Sequence, residues 1–201
     1  GGSVIFTGSN FTATNISSDT SFWVEDFIRA PIETLGPTSN SIGSGRDYSG
    51  DQHLNFDVYE AIELVSVRVY AGSSGNRTIE LRDSNGVVLQ SLSRYIPSGI
   101  LRVPLNFDLV PGTNYQLGVS SLAGGPDLYR NNSGVSFPYD LAGKLSITSS
   151  SANTNPGGFY YFFYNWRVKS ADCKAERAEA KVLIDTTCMP TGIDEFYQLD
   201  L

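Results

Sequence analysis

FYYFFYNWRVK, residues 159–169, carries seven aromatic side chains in one short run. Read at a strand's period of two, Tyr160, Phe162, Tyr164, Trp166 and Val168 share one face. Phe159, Tyr161, Phe163, Asn165, Arg167 and Lys169 share the other. A strand that is aromatic on both sides needs a partner on each. The Trp166 face suits a sandwich core. The other face needs cover, such as the loop 31–50, because a large exposed apolar patch is unusual on a monomer.

Working outward, the same alternation recurs between turn signals. In IELVSVRVYA (62–71), Val65, Val67 and Val69 point one way, and Ser66, Arg68 and Tyr70 the other. TIELRDSNGVVLQSL (78–92) reads as a hairpin. Asn85-Gly86 supplies its positive φ angles, with Ile79 and Leu81 before the turn and Val87 and Leu89 after it. LRVPLNFDL (101–109) buries Leu101, Val103, Leu105, Phe107 and Leu109. Pro104 lacks an amide hydrogen, which places this strand at an edge or a bulge. TNYQLGVS turns Tyr115, Leu117 and Val119 inward, and KLSITS (144–149) adds another strand. SVIFT (3–7) and TSFWVED (20–26) are strand-like as well. Only AERAEAKVLID hints at a helical period. The expected fold is an all-β antiparallel sandwich of jelly-roll or galactose-binding-like type.

The 201 residues carry a formal net charge of −7. With no basic stripe to neutralise phosphates, nucleic acid is excluded as the expected partner. The charge favours no anionic membrane, and no apolar run approaches the roughly 20 residues of a membrane helix. The first residues lack the basic-then-apolar pattern of a signal peptide, and the chain is read as a piece of something longer. Sequons at Asn10, Asn15, Asn76 and Asn131 fit a Ser/Thr/Asn-rich surface.

Catalytic signals are sparse. His53 is the only histidine, and no HExxH, CxxC, GxSxG or phosphate-cradling loop occurs. A glycosidase needs only two carboxylates, whose spacing a sequence does not reveal. The sharpest binding signal is DLYRNNSG (127–134). Tyr129 offers a ring for a sugar face, Arg130 a planar donor fork, and Asn131 and Asn132 paired donors and acceptors for hydroxyls. The same residues would equally serve an Asn-rich turn anchored by Tyr129. A second candidate is an outward sheet face of Arg68, Tyr70, Glu80, Arg82, Gln116, Asn165 and Arg167. Arg46-Asp47-Tyr48 lies in a glycine-rich loop able to fold over either site. Asp47, Asp51, Asp57 and Glu60 lie close in sequence and are the candidate ligands for a structural calcium, though their spacing fits no defined loop.

The two ends carry a further pattern. Thr20-Ser21-Phe22-Trp23-Val24, then Cys173, then Arg177 with Ala180, Val182 and Ile184, resembles the first and last strands of an immunoglobulin-like repeat of secreted Bacteroidota proteins. About 145 residues separate the halves, where the repeat has a short loop. The intervening segment, including YYFFYNW, looks like a jelly-roll module of secreted proteases and glycan-active enzymes. TGIDEF resembles the linker before a type IX secretion sorting domain.

The resemblance implies a partial Ig-like stem of residues 1–28 and 174–186, a sandwich over 29–170 and a linker tail over 187–201. It also implies a secreted or cell-surface location and neighbouring domains of the same polypeptide as partners. It makes 175–184 a strand of roughly 33 Å, more than the flanking residues can retrace to close a disulfide. A Cys173–Cys188 bridge is therefore not expected, whereas a helix of about 15 Å would permit one.

The reading these signals support is a non-catalytic carbohydrate-binding module for a polysaccharide or glycan. The alternatives are a structural spacer or protein-contact module, and a polysaccharide-active lyase or hydrolase.

Overall fold

The computed structural model describes residues 3–120 and 127–185. In chain order its strands are β1 (Thr20–Val24), β2 (Phe27–Ile28), β3 (Glu33–Leu35), β4 (Gly45–Tyr48), β5 (His53–Val58) and β6 (Ile62–Ala71). Then come β7 (Gly75–Arg82), β8 (Val88–Ile96), β9 (Gly99–Leu109), β10 (Gly112–Val119), β11 (Leu128–Asn131) and β12 (Tyr139–Leu141). The last are β13 (Leu145–Ser150), β14 (Tyr160–Tyr161), β15 (Tyr164–Ser170), β16 (Cys173–Lys174) and β17 (Ala178–Val182). The fold is all-β, and the chain divides into two units, Gly1–Ile28 with Lys174–Leu201, and Arg29–Cys173.

In the Arg29–Cys173 unit, antiparallel pairing builds a six-stranded sheet in the order β12-β13-β5-β10-β7-β8 and a four-stranded sheet in the order β3-β15-β6-β9. A three-stranded sheet, β14-β11-β4, completes it. The two larger sheets form a β-sandwich. Phe56 of β5 meets Trp166 of β15 edge-on at 5.2 Å between ring centroids, and both are fully buried. Edge-to-face rings at this distance add to the gain from burying their area.

The aromatic run is not one strand. Tyr160 and Tyr161 belong to β14, Tyr164 onward to β15, and the two lie in different sheets. Between them Phe162 has φ +63°, and the Phe163 amide donates to the Tyr161 carbonyl at 2.8 Å. This γ-turn conformation is rare and strained for a residue with a side chain. It persists because two buried donors converge on the Phe163 carbonyl, the Tyr160 hydroxyl at 2.8 Å and the Trp166 indole at 2.7 Å. Every residue from Tyr160 to Tyr164 is thereby buried, and the two-faced reading holds only from Tyr164 onward.

Bulges explain the other departures. The register of β6 against β9 shifts between Leu64 and Ser66, so Ile62, Leu64, Val67 and Val69 face the core while Val65 does not. Pro104 sits opposite Ser66 at that bulge, on the edge strand β9. In the turn between β7 and β8 only Gly86 has positive φ, and the Gly86 amide closes a turn on the Asp83 carbonyl at 3.1 Å. The Asp83 carboxylate accepts from the Asn85 and Val87 amides at 2.8 and 2.9 Å. A turn followed by a bulge at Gly replaces the two-residue turn. It leaves Val87 and Leu89 exposed and sets Gln90 and Leu92 opposite Leu81 and Ile79. The Pro31–Gly50 stretch, read as loop, contributes β3 and β4.

The other unit pairs β1 with β17 over five residues, Phe22 opposite Ala180 and Trp23 opposite Glu179. Phe11 meets Phe22 at 5.5 Å, and Arg177 pairs with Glu25 at 2.6 Å. Residues 3–7 form no strand, and AERAEAKVLID supplies a strand rather than a helix. Trp23 is 61% exposed, because it lies on the ribbon face opposite Phe22. Cys173 is exposed; Cys188 and the tail 187–201 lie outside the described residues.

Truncating Phe56 removes the ring that Trp166 and Tyr115 pack against. Phe56→Ala is expected to cost about 3–5 kcal/mol in urea denaturation, and Val87→Ala less than about 0.5 kcal/mol. Equal losses would refute this assignment of core and surface.

Candidate functional site

The three-stranded sheet collects most of the residues singled out in DLYRNNSG and Arg46-Asp47-Tyr48. Arg130 stands opposite Arg46 on β4 and Tyr161 on β14, and Leu128 stands opposite Tyr48. Side chains directly opposite share a face. One face therefore carries Arg46, Tyr48, Leu128, Arg130 and Tyr161; the other carries Asp47, Tyr129, Asn131 and Tyr160.

On the first face the Arg130 guanidinium lies 4.6 Å from the ring centroids of both Tyr48 and Phe159. A cation between two ring faces is held by their quadrupoles as well as by contact. Arg130 is only 7% exposed, and its buried Nε has no hydrogen-bond partner. Burial raises the Tyr161 phenol, while the neighbouring Arg130 charge acts against that shift. Arg46 is exposed, and no carboxylate lies within ion-pair distance of either arginine among the described residues.

The second face corrects the reading of Asn131. Its side chain is 0% exposed; it donates to the carbonyls of Asn40, Gly43 and Ser44 and accepts from the Tyr164 hydroxyl at 2.8 Å. Asn131 is a clamp on the loop before β4, not a free sugar contact. Asn132 is exposed, and Tyr129 is half-buried against the core. A Cβ on Gly45 would come within 2.6 Å of the Tyr129 ring, so only glycine permits that packing. Likewise a Cβ on Gly50 would meet the Tyr48 ring at 2.4 Å.

The outward face expected from Arg68 to Arg167 is split between layers. Arg68, Tyr70, Asn165 and Arg167 belong to the four-stranded sheet; Glu80, Arg82 and Gln116 belong to the six-stranded one. Arg82 is buried and paired with Asp51 at 3.1 Å and Glu80 at 2.7 Å, so it is a structural cation.

The proposed calcium carboxylates do not converge. Asp51 pairs with Arg82, Asp57 accepts from the Asn114 amide at 2.7 Å, and Glu60 accepts from Ser170 at 2.6 Å. The Asp47 carboxyl is raised by partial burial and then by Asp127, with Arg77 opposing. Among the described residues no three His, Cys, Asp or Glu side chains come together as metal ligands.

Sequence reasoning passed over a concavity beside the β7–β8 hairpin. A cleft of about 410 Å³ is bordered by Tyr48, Asn76, Thr78, Ser93, Arg94 and Tyr95, with Leu128 and Phe162 among its apolar lining. Tyr95 is 59% exposed. Asn76 stands opposite Tyr95 and Thr78 opposite Ser93, whose hydroxyls lie 2.7 Å apart. Arg77 beneath them donates to the Ser73 carbonyl at 2.7 Å and to the Asp127 carbonyl, so it is engaged internally. The available signal was the alternation Ser91, Ser93, Tyr95, which continues the outer face of β8 past residue 92.

No protein-family model matches the chain, and no curated protein matches it significantly.

Two measurements test these placements. Asn131→Ala strands three backbone carbonyls and should destabilise by about 2–3 kcal/mol, against less than about 0.5 kcal/mol for Asn132→Ala. His53 is lowered from its ordinary 6.5 by burial and then by Arg82, with Asp51 and Asn55 opposing. A proton that binds the unfolded chain more tightly destabilises the fold as pH falls through 6.5. The melting temperature should therefore drop between pH 7.5 and about 5, and His53→Gln should flatten that slope. An unchanged slope would remove His53 from the account.

Proposed function

We propose that this chain is a non-catalytic carbohydrate-binding β-sandwich of a secreted or cell-surface protein, with the sugar held in the Tyr48–Tyr95 cleft. One observation carries the reading: exposed Tyr95 and half-exposed Tyr48 border a concavity whose lining mixes apolar side chains with hydroxyl, amide and guanidinium groups. Pyranoses need this mixture. Their C–H faces pack on aromatic rings, and their hydroxyls take paired donors and acceptors. In this arrangement Tyr95 is the stacking ring. Tyr48 is the second wall, fixed from behind by Arg130. Asn76, Ser93 and Arg94 supply the polar contacts.

Arg130 and Asn131 thus pass from contact residues to positioning residues. Their internal engagement is also what the alternative reading, a spacer without a sugar site, would have. A polysaccharide-active enzyme remains the other alternative, and turnover of a polysaccharide by the isolated chain would establish it.

Affinity electrophoresis through gels of soluble polysaccharides separates the first two readings. Wild type should be retarded on at least one polymer. Tyr95→Ala, with an unchanged melting temperature, should weaken binding about tenfold, equivalent to about 1.4 kcal/mol. Absence of retardation on every polymer, or equal retardation of wild type and Tyr95→Ala, would favour the spacer.

A further inference from the structure

Three arginines meet on the outer face of the four-stranded sheet. Arg68 on β6 stands directly opposite Arg102 on β9, and Arg167 on β15 stands opposite Ser66, two residues along β6. Arg102 donates to the Ser66 hydroxyl at 3.1 Å, to the Asn165 carbonyl at 3.0 Å and to the Asn165 side-chain oxygen. Arg68 donates to the Thr38 carbonyl at 2.9 Å. Arg167 is exposed. Every one of these partners is neutral. Among the described residues no carboxylate lies within 4.0 Å of any of the three guanidinium groups.

Like charges directly opposite on neighbouring strands destabilise a sheet. The chain has 21 acidic residues against 14 basic ones, so counter-charges are not scarce. The fold supplies two to Arg82 and two to Lys169 on this same sheet, where Glu63 lies 3.0 Å and Asp172 3.9 Å away. Burial, then Arg167 and Arg68, holds the Arg102 guanidinium below its ordinary range, as expected for cations within reach of one another.

The backbone is shaped around the cluster as well. Register shifts fall between Leu64 and Ser66 on β6, and between Tyr164 and Arg167 and between Arg167 and Val168 on β15. Asn165 adopts φ +44°. Bulges re-aim side chains, and Asn tolerates the left-handed region better than most residues. Here the irregular backbone turns the Asn165 carbonyl and side chain onto Arg102.

We infer that Arg68, Arg102 and Arg167 form a second binding site, on the layer opposite the cleft, for the carboxylate or sulfate groups of an acidic polysaccharide. The assignment to a glycan rests on the carbohydrate-binding reading; the anion preference rests on the cluster alone. Guanidinium forks pair with such oxyanions in bidentate fashion, and neutral anchors leave that capacity unused.

The test compares polygalacturonate (carboxylate), dextran sulfate (sulfate) and neutral dextran by affinity electrophoresis at low and moderate salt. Single-stranded DNA serves as a non-glycan polyanion. Wild type should bind an acidic glycan more tightly than dextran, and the preference should fall as salt rises. Arg167→Glu should weaken that binding at least about tenfold, or about 1.4 kcal/mol, with a melting temperature no lower than that of wild type, because Arg167 holds nothing in the fold and the new acid would relieve the repulsion. Arg68→Gln should act in the same direction. Which acidic polymer is retained separates carboxylate from sulfate.

Equal binding of dextran and both acidic polymers, or an Arg167→Glu protein that binds like wild type, overturns the site and leaves the cleft reading intact. Tighter binding of DNA than of either acidic glycan overturns the glycan assignment. Failure of every polysaccharide overturns both readings.

Discussion

The Phe163 carbonyl is the point on which this sandwich turns. It accepts from the Tyr160 hydroxyl and the Trp166 indole, two fully buried donors that would otherwise lack partners. A buried polar group left unpaired costs more than a typical hydrogen bond gains. Satisfying both at one oxygen stabilises a γ-turn that an isolated Phe-Phe segment would not hold. The turn moves the chain from the three-stranded to the four-stranded sheet, which is how one short aromatic run fills the core from two directions. It also sets Tyr164, whose hydroxyl reaches Asn131, and the Asn131 amide fixes the loop leading to β4. From there the order passes to Tyr48, clamped by Arg130 at the edge of the cleft. The site is thus connected to the core by a traceable series of contacts.

That series explains what was legible in the sequence. The sandwich was, because alternation is a local property; the inward residues of β9 read correctly, with Pro104 at both an edge and a bulge. Phase changes were not legible. Nothing in Leu64-Val65-Ser66 announces a bulge, and Phe162 has no intrinsic taste for positive φ. Asn131 shows the same limit in chemical form. Its donors and acceptors suit a sugar hydroxyl and a ring of backbone carbonyls equally, and only tertiary position decides between them. Tyr95 was missed for the opposite reason: the hairpin was read as ending too early, so its ring was never placed on a face.

The two units differ in how they meet the demands of a folded chain. The Arg29–Cys173 unit encloses a continuous core. In the other, Trp23 on β1 and Leu183 just after β17 lie largely in solvent. A two-stranded ribbon is marginal by itself in water. An all-β unit of this kind gains stability by adding strands or packing against another layer.

Electrostatics separates structural from available cations in the same molecule. Arg82, Lys144, Lys169 and Arg177 each lie against at least one carboxylate. Arg68 and Arg102 are oriented instead by carbonyls, a hydroxyl and an amide. Neutral partners fix where a guanidinium points without cancelling its charge, whereas a carboxylate does both. A fold that needed these side chains only for packing would be more stable with an acid among them, because cross-strand opposite charges attract and like charges repel. A chain of net charge −7 that keeps three arginines together on one sheet face retains a local field opposite in sign to its average. Such a field acts over roughly a Debye length, about 8 Å at physiological salt, and so reaches only ligands that lie directly on the sheet.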